Sequence, residues 1–219
     1  MERCRVLILD DHPVFRNGLR RVVESAPELV CVGEVGDAPS ARRFLASTQV
    51  DVLTVDLALP NGSGLDLLHA VRVERPSTIT LVMSMCDETV YGMRALRAGA
   101  RGFLSKGASA EEVRMAILAV WRGELAVSGA LRERIVQQGV AWGAGEGACD
   151  GLTDRELDVL HHLASGAGTA QIASSLGVSV KTVETHRANI ARKLGVRGTA
   201  ALVRAAVALL RDGSTSRPA

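Results

Sequence analysis

Short aliphatic runs alternate with helix-length amphipathic stretches through the first 123 residues. The runs fall at residues 6–9, 29–35, 50–57, 79–84 and 102–105, and are dominated by Val, Leu and Ile. Between them, residues 14–26, 39–48, 65–74, 89–98 and 110–122 space their apolar positions at a helical period. Short buried strands in strict alternation with helices predict parallel βαβ units, with helices on both faces of one sheet. From residue 124 the alternation stops. Residues 131–138 have the pattern of a short polar helix, and Gly139-Val-Ala-Trp-Gly-Ala-Gly-Glu-Gly147 reads as a flexible linker, with Trp142 the one large apolar side chain in it.

A purely helical pattern follows. Thr153 is a good N-cap and Glu156, three residues on, completes a capping box. Gly166 and Gly168 end that helix. Thr169 starts another with Ile172, Ala173 and Leu176 on its apolar face. Gly177-Val-Ser179 forms a tight turn and Ser179 caps a third helix over 180–194. A fourth, at about 199–211, closes the bundle with Leu202, Val203, Ala206 and Leu210. Two helices joined by a short turn containing Gly make a helix-turn-helix unit. The pattern therefore divides the chain into an α/β unit at 1–123, a linker at 124–150 and a four-helix unit at 151–219.

The polar residues that end the strands suggest chemistry. The first run ends in Asp10-Asp11, the third in Asp56, the fourth in Ser84 and the fifth in Lys106. In parallel sheets, ligands bind beyond the carboxyl ends of the strands. Three carboxylates crowded there resist ionisation unless a cation sits among them. A hard divalent ion such as Mg2+ suits such oxygen ligands, and Lys106 and Ser84 add a point charge and a hydroxyl. That set fits phosphoryl transfer with Asp56 as the nucleophile, giving an acyl phosphate.

Charge adds a second lead. The chain of 219 residues carries a net +2, unevenly placed: residues 1–128 hold 15 Lys and Arg against 16 Asp and Glu, whereas residues 151–219 hold 9 against 5. On the third helix of the last unit, Val183, His186, Ile190 and Leu194 form one stripe, which marks His186 as a core histidine. Lys181, Thr185, Ala188 and Arg192 lie opposite, flanked by Glu184 and Asn189. A basic face near a helix N-terminus suits phosphate contact and entry into the major groove of double-stranded DNA. Cys4, Cys31, Cys86 and Cys149 are scattered with no metal-like pair, and no run reaches membrane-spanning length. Reduced thiols, no signal peptide and no span predict a cytoplasmic protein without a membrane partner.

The segments Leu9-Asp-Asp-His-Pro-Val-Phe-Arg-Asn-Gly-Leu19, Val55-Asp-Leu-Ala-Leu-Pro-Asn-Gly-Ser-Gly64, Ser84 and Ala98-Gly-Ala-Arg-Gly-Phe-Leu-Ser-Lys106 closely resemble a two-component receiver domain. The resemblance implies a flavodoxin-like (βα)5 fold with strand order 2-1-3-4-5. It implies that Asp56 takes a phosphoryl group from a sensor histidine kinase. It assigns Mg2+ to Asp11, Asp56 and the Ala58 carbonyl, with Asp10 helping through water. Ser84 and Lys106 would hold the phosphoryl oxygens, and Phe103 matches the aromatic that turns inward as Ser84 moves. From Leu152 to Val196 the chain resembles the LuxR-type helix-turn-helix, so the whole is similar to a NarL/FixJ-type response regulator: a transcription regulator whose phosphorylation either exposes a dimer contact, giving a homodimer on paired half-sites, or releases a docked DNA-binding domain. Its base-reading positions fall on Glu184, Thr185 and Ala188, and its phosphate contacts on Lys181, Thr182, Arg192 and Arg197.

Departures from the family pattern matter. Gly107 stands where Pro often follows the lysine, and Thr169-Ala-Gln171 stands where Asn-Lys-Glu is common, removing one backbone-binding lysine. Ala58 and Cys86, each two residues past a pocket residue, cannot orient an attacking water well, which predicts slow self-dephosphorylation. Met85, beside Ser84, is bulky enough to narrow access to small phosphodonors. No GxGxxG or Walker A loop is present, and no acid–base pair lies outside the Asp cluster, which weighs against a nucleotide enzyme or phosphohydrolase. The other alternative is an orphan regulator that works without phosphorylation, against which the complete set of pocket residues speaks.

Overall fold

The computed structural model describes residues 3–59, 63–137 and 151–211. Five strands, β1 (Cys4–Leu9), β2 (Leu29–Val35), β3 (Val52–Val55), β4 (Ile79–Ser84) and β5 (Ala100–Ser105), alternate with α1 (Pro13–Glu24), α2 (Ala38–Ser47), α3 (Gly64–Glu74), α4 (Glu88–Ala98) and α5 (Ala110–Trp121). The sheet is parallel in the order β2-β1-β3-β4-β5, the flavodoxin-like arrangement expected. Successive side chains of β1 show why its strand is apolar throughout. Val6 and Ile8 join Leu19, Val23, Val113 and Ile117 on the face covered by α1 and α5. Leu7 and Leu9 join Ala41, Leu45, Leu68 and Val71 on the other. Strands sandwiched between two helical layers have no wet face to mark with polar residues.

Three strands differ in length from the sequence pattern, β1 by beginning two residues before its aliphatic run. The aliphatic run at 50–57 supplies only four ladder residues, Val52–Val55, with Asp51 and Asp56 each donating one further backbone bond to β1 at the two ends. Gly64 explains how closely α3 approaches: a Cβ there would lie 2.5 Å from Leu57 Cα and 2.7 Å from the Asp56 carbonyl oxygen. β5 begins two residues earlier than its apolar run, and past α5 the chain returns to pair with it, Phe103 N donating to the Ala126 carbonyl at 2.8 Å.

Helix α6 (Gly129–Gln137) then lies along α4, where Gly92 leaves room for Leu131. The last described unit holds α7 (Asp154–Ala164), α8 (Thr169–Leu176), α9 (Val180–Lys193) and α10 (Thr199–Arg211). Its caps are those the sequence marks. Thr153 and Glu156 form a reciprocal capping box, Gly177 ends α8 in the left-handed conformation at φ 64°, and the Ser179 hydroxyl accepts from Thr182 N at 3.0 Å. The loop residues 60–62, the glycine-rich stretch with Trp142, and the Leu210 side chain lie outside the described residues.

The two units share one apolar cluster. It runs from the α2–α4 side of the sheet through Tyr91 and Leu131 into Leu157, Leu160, Ile172, Val183 and Ile190. Helix α7 is the element that meets the α/β unit. Tyr91 of α4 donates its hydroxyl to the Leu157 carbonyl at 3.2 Å. Arg94 bonds Asp154 at 3.0 Å and the Leu152 carbonyl at 2.8 Å, and Arg155 pairs with Asp66 of α3 at 3.0 Å.

Candidate functional site

The register of the sheet brings four strand ends together. Asp56 N donates to the Leu9 carbonyl at 3.0 Å and Lys106 N to the Ser84 carbonyl at 3.0 Å, so the residues leaving β1, β3, β4 and β5 arrive at one edge. Lys106 Nζ stands between two carboxylates, 2.5 Å from Asp56 Oδ2 and 2.6 Å from Asp10 Oδ2. All three side chains are nearly sealed from solvent, at 7%, 2% and 2% exposure. The other Asp56 oxygen accepts from Ala58 N at 3.1 Å and from the Ser84 hydroxyl at 3.2 Å. The crowding of acids expected from the sequence is therefore relieved by an internal ammonium. Phe15 flanks that ammonium, its ring centroid 4.8 Å from Nζ.

Burial and contact pull the pocket's protonation in opposite senses. Burial pushes the Asp56 carboxyl above its ordinary value, against the opposing pull of Lys106. Burial works to lower the Lys106 ammonium, but its bonds to Asp10 and Asp56 outweigh this and hold it above its ordinary value. The two groups are mutually dependent.

Asp10, Asp11, His12 and Asp56 each offer one ligand atom within 4.8 Å of one another. Asp11 Oδ1 is buried and completes no hydrogen bond, although His12 Nδ1 lies 2.6 Å away. A buried carboxylate oxygen without a hydrogen bond among other carboxylates fits a hard divalent cation. The sequence assigns His12 no chemistry. The structure places it as the N-cap of α1, its amide donating to Asp10 Oδ1 at 2.8 Å and its ring turned to the acids. Nothing but adjacency to Asp11 in the sequence hints at that position.

Two further pocket residues are placed differently from one another. Phe103 is 2% exposed, packed inward while Ser84 already points at Asp56. Met85 is 76% exposed and lines a groove with Phe15 and Lys106.

The second group of predicted residues lies elsewhere. On α9, Lys181, Glu184, Thr185, Ala188 and Arg192 are exposed, as is Arg197 just beyond, with Thr182 partly so. Val183 and Ile190 are buried and His186 is half-buried, as the helical stripe requires. The helix is fixed from behind by Lys193, which bonds the buried Glu156 of α7 at 2.6 Å, and by Arg187, which donates to Thr169 at 2.5 Å.

An acid–lysine–hydroxyl pocket at the C-terminal edge of a 2-1-3-4-5 sheet, joined to a helix-turn-helix with a basic outer face, defines a receiver coupled to a DNA-reading output. Residues 6–118 match the family of response regulator receiver domains, and residues 150–206 match the bacterial regulatory proteins of the luxR family. The chain is 36% identical to the nitrate/nitrite response regulator protein NarP of Escherichia coli (strain K12), covering 90% of this chain and 91% of that protein. It is 34% identical to the oxygen regulatory protein NreC of Staphylococcus aureus (strain MRSA252), over 91% of this chain and 94% of that one. RcsB from Salmonella typhimurium superposes with a TM-score of 0.74 at 25% identity, over 96% and 100% of the two chains. RcsB bound to promoter P1flhDC with phosphomimetic BeF3− gives 0.70 at 27%, over 94% and 98%. The chain belongs to the DNA-binding response regulators of two-component systems, a family of transcription regulators and not of enzymes.

Proposed function

We propose that a sensor histidine kinase transfers a phosphoryl group to Asp56 and that this transfer controls how the helical unit binds promoter DNA. The observation that carries the reading is the set of groups converging on one carboxylate: Lys106 on Oδ2, and Ser84 with the Ala58 amide on Oδ1. A carboxylate oxygen of Asp56 attacks phosphorus, the bond to the kinase imidazole breaks, and an acyl phosphate forms. Lys106 and Ser84 are placed to hold its oxygens. Asp10, Asp11 and Asp56, with the Ala58 carbonyl, would hold Mg2+, which supplies charge neutralisation when bound. The inward packing of Phe103, with Ser84 bonded to Asp56, supports its role in relaying the change. Asp56 is the acceptor; Ser84 and Phe103 are the switch.

Lys181, Thr182, Arg192 and Arg197 would contact phosphates, and Glu184, Thr185 and Ala188 base edges. Two phosphorylated chains would pair as a homodimer on paired half-sites of double-stranded DNA, gaining affinity by effective concentration. We take 1–123 as receiver, 124–150 as linker and 151–219 as reader. Among the described residues no helix is long and apolar enough to cross a membrane, and we place the protein in the cytoplasm.

The test is kinase labelling of the parent and of Asp56→Asn, with promoter occupancy followed in both. The parent takes label, holds it for many minutes without a phosphatase, and gains occupancy; Asp56→Asn does neither. Equal occupancy in both would instead establish a phosphorylation-independent regulator.

A further inference from the structure

We propose that Cys86 is a positioning residue that latches helix α7 to the phosphoryl pocket, and that the latch opens when Ser84 turns to a phosphoryl oxygen. This rests on Asp56 being the acceptor, as proposed above. Three contacts run in series. The Ser84 hydroxyl donates to Asp56 Oδ1 at 3.2 Å, and Ser84 Oγ in turn accepts from Cys86 N at 3.2 Å. Cys86 then places its Sγ 3.8 Å from His161 Nδ1 of α7. One end of this chain is the pocket and the other is the DNA-binding unit, with no solvent-exposed link between them: Ser84 is fully buried and Cys86 is 7% exposed.

The thiol and the imidazole are both neutral. Burial pushes the Cys86 thiol up to about 12, and burial also holds His161 below its ordinary value. Their contact is therefore a short-range one, sensitive to position and not to distant charge. Around it there is little slack. Ala58, Leu59, Cys86, Asp158 and His161 line a cavity of about 10 Å3, roughly the room of one water. The Tyr91 ring closes it edge-on to His161, centroids 6.3 Å apart. A close-packed junction cannot absorb a shift smoothly, so it holds or lets go.

Turning Ser84 toward a phosphoryl oxygen removes the acceptor from the Cys86 amide. The loop between β4 and α4 must then move to satisfy that amide, and Sγ leaves His161. What release changes is also legible. The base-reading positions of α9 are exposed while α7 is docked, so the latch does not cover the reading face. It restrains where that face points, and hence whether two readers can meet adjacent half-sites.

The experiment is hydrogen exchange on the full-length chain, with and without Mg2+ and beryllofluoride, following the α7 peptide at residues 154–164. A 19F resonance lost in Asp56→Asn reports that the pocket is filled. In the parent, beryllofluoride speeds α7 exchange by about tenfold, the signature of local release. Cys86→Ala speeds it without beryllofluoride and flattens the response. Cys86→Ser, which keeps a donor there, restores the response. His161→Ala repeats the test from the other unit should Cys86→Ala disturb the receiver, whose β1 and β3 amides report its folding. A filled pocket with unchanged α7 exchange, or a Cys86→Ala response equal to the parent's, overturns the latch and leaves the acceptor reading standing. Absence of the 19F signal overturns both.

Discussion

The acidic pocket and the outer face of α9 handle charge in opposite ways. In the pocket, Asp10, Asp56 and Lys106 are withdrawn from water and find their opposite charges in one another. On α9, Lys181, Glu184 and Arg192 stand in solvent and await a partner. Buried charges must be matched inside the protein, so the loss of one strands the rest. Exposed charges cost the fold little and act only on what arrives. The same residue type therefore has a different job in each region, and substitutions separate the two.

The largest effect belongs to the pocket. Lys106→Met leaves Asp10 and Asp56 without their counter-charge in a sealed site, a loss of about 3–5 kcal/mol in unfolding free energy without divalent ions. Millimolar Mg2+ restores most of it, because a cation again sits among the acids. Urea titrations with and without Mg2+ measure both terms. An equal Mg2+ effect on parent and variant would remove the lysine from its role as internal counter-ion.

A single helix gives the next comparison. Lys193 and Lys181 both belong to α9, but Lys193 bonds Glu156, which is 4% exposed. Burial would raise the Glu156 carboxyl, yet Lys193 and the Thr153 cap hold it below its ordinary value. Lys193→Met costs about 3 kcal/mol by orphaning that carboxylate. Lys181→Met changes stability by less than about 0.5 kcal/mol. It weakens DNA binding instead, and lowers the salt slope of log affinity by about 0.9. Denaturant midpoints and salt titrations of both variants decide it; a reversal of the two outcomes would mean that the helix is turned the other way.

How far each region is legible in sequence follows from the same contrast. Strand ends are local signals, so Asp10, Asp56, Ser84 and Lys106 announce themselves where aliphatic runs stop, and the α9 face follows from its period. The docking of α7 is not local. Cys86, Asp158 and His161 are an apparent core cysteine, a helical acid and a helical histidine until folding brings residues 75 apart into contact. Nothing in their spacing says that Tyr91 meets Leu157 or that Arg94 meets Asp154. The His12 ring was missed for a related reason: its role depends on which way α1 leaves the sheet.

The junction itself titrates. Asp158 Oδ2 is buried without a hydrogen bond, 3.8 Å from Arg155 Nη1, with Asp66 and Asp154 nearby as like charges. Burial, helped by those acids, raises its carboxyl from 3.8 to about 7. A group raised on docking favours docking fully below its free value, and the gain disappears as pH rises through about 7. His161 and His162 have the opposite sign: burial lowers both, so their contribution is present above 6.5 and is lost as pH falls through the lowered values. Docking therefore weakens on the alkaline side through Asp158 and on the acid side through the two imidazoles. Asp158→Asn removes the alkaline limb, and α7 exchange at pH 8, corrected for intrinsic rate, slows by roughly tenfold or more relative to the parent. Identical exchange in the two proteins would show that Asp158 is hydrated at the junction and has no part in its pH response.

The smallest effect is the most local. Glu184 is exposed on α9 one turn from the Ser179 cap, beside Thr185, with Ala188 one turn further on. A carboxylate at a groove-facing position can accept from a cytosine amino group and repels phosphate, whereas Ala188 offers only a methyl contact to thymine. Removing the carboxylate should therefore alter preference more than affinity. Glu184→Ala relaxes discrimination at one base pair by about 1–3 kcal/mol while other positions of the site keep theirs. A binding-site selection with the parent and variant reads this directly. If every position loosens together, Glu184 acts by orienting the helix; if none does, the base contact belongs to Thr185 or Ala188, and the reading face is rotated by one residue from the one the exposed stripe defines.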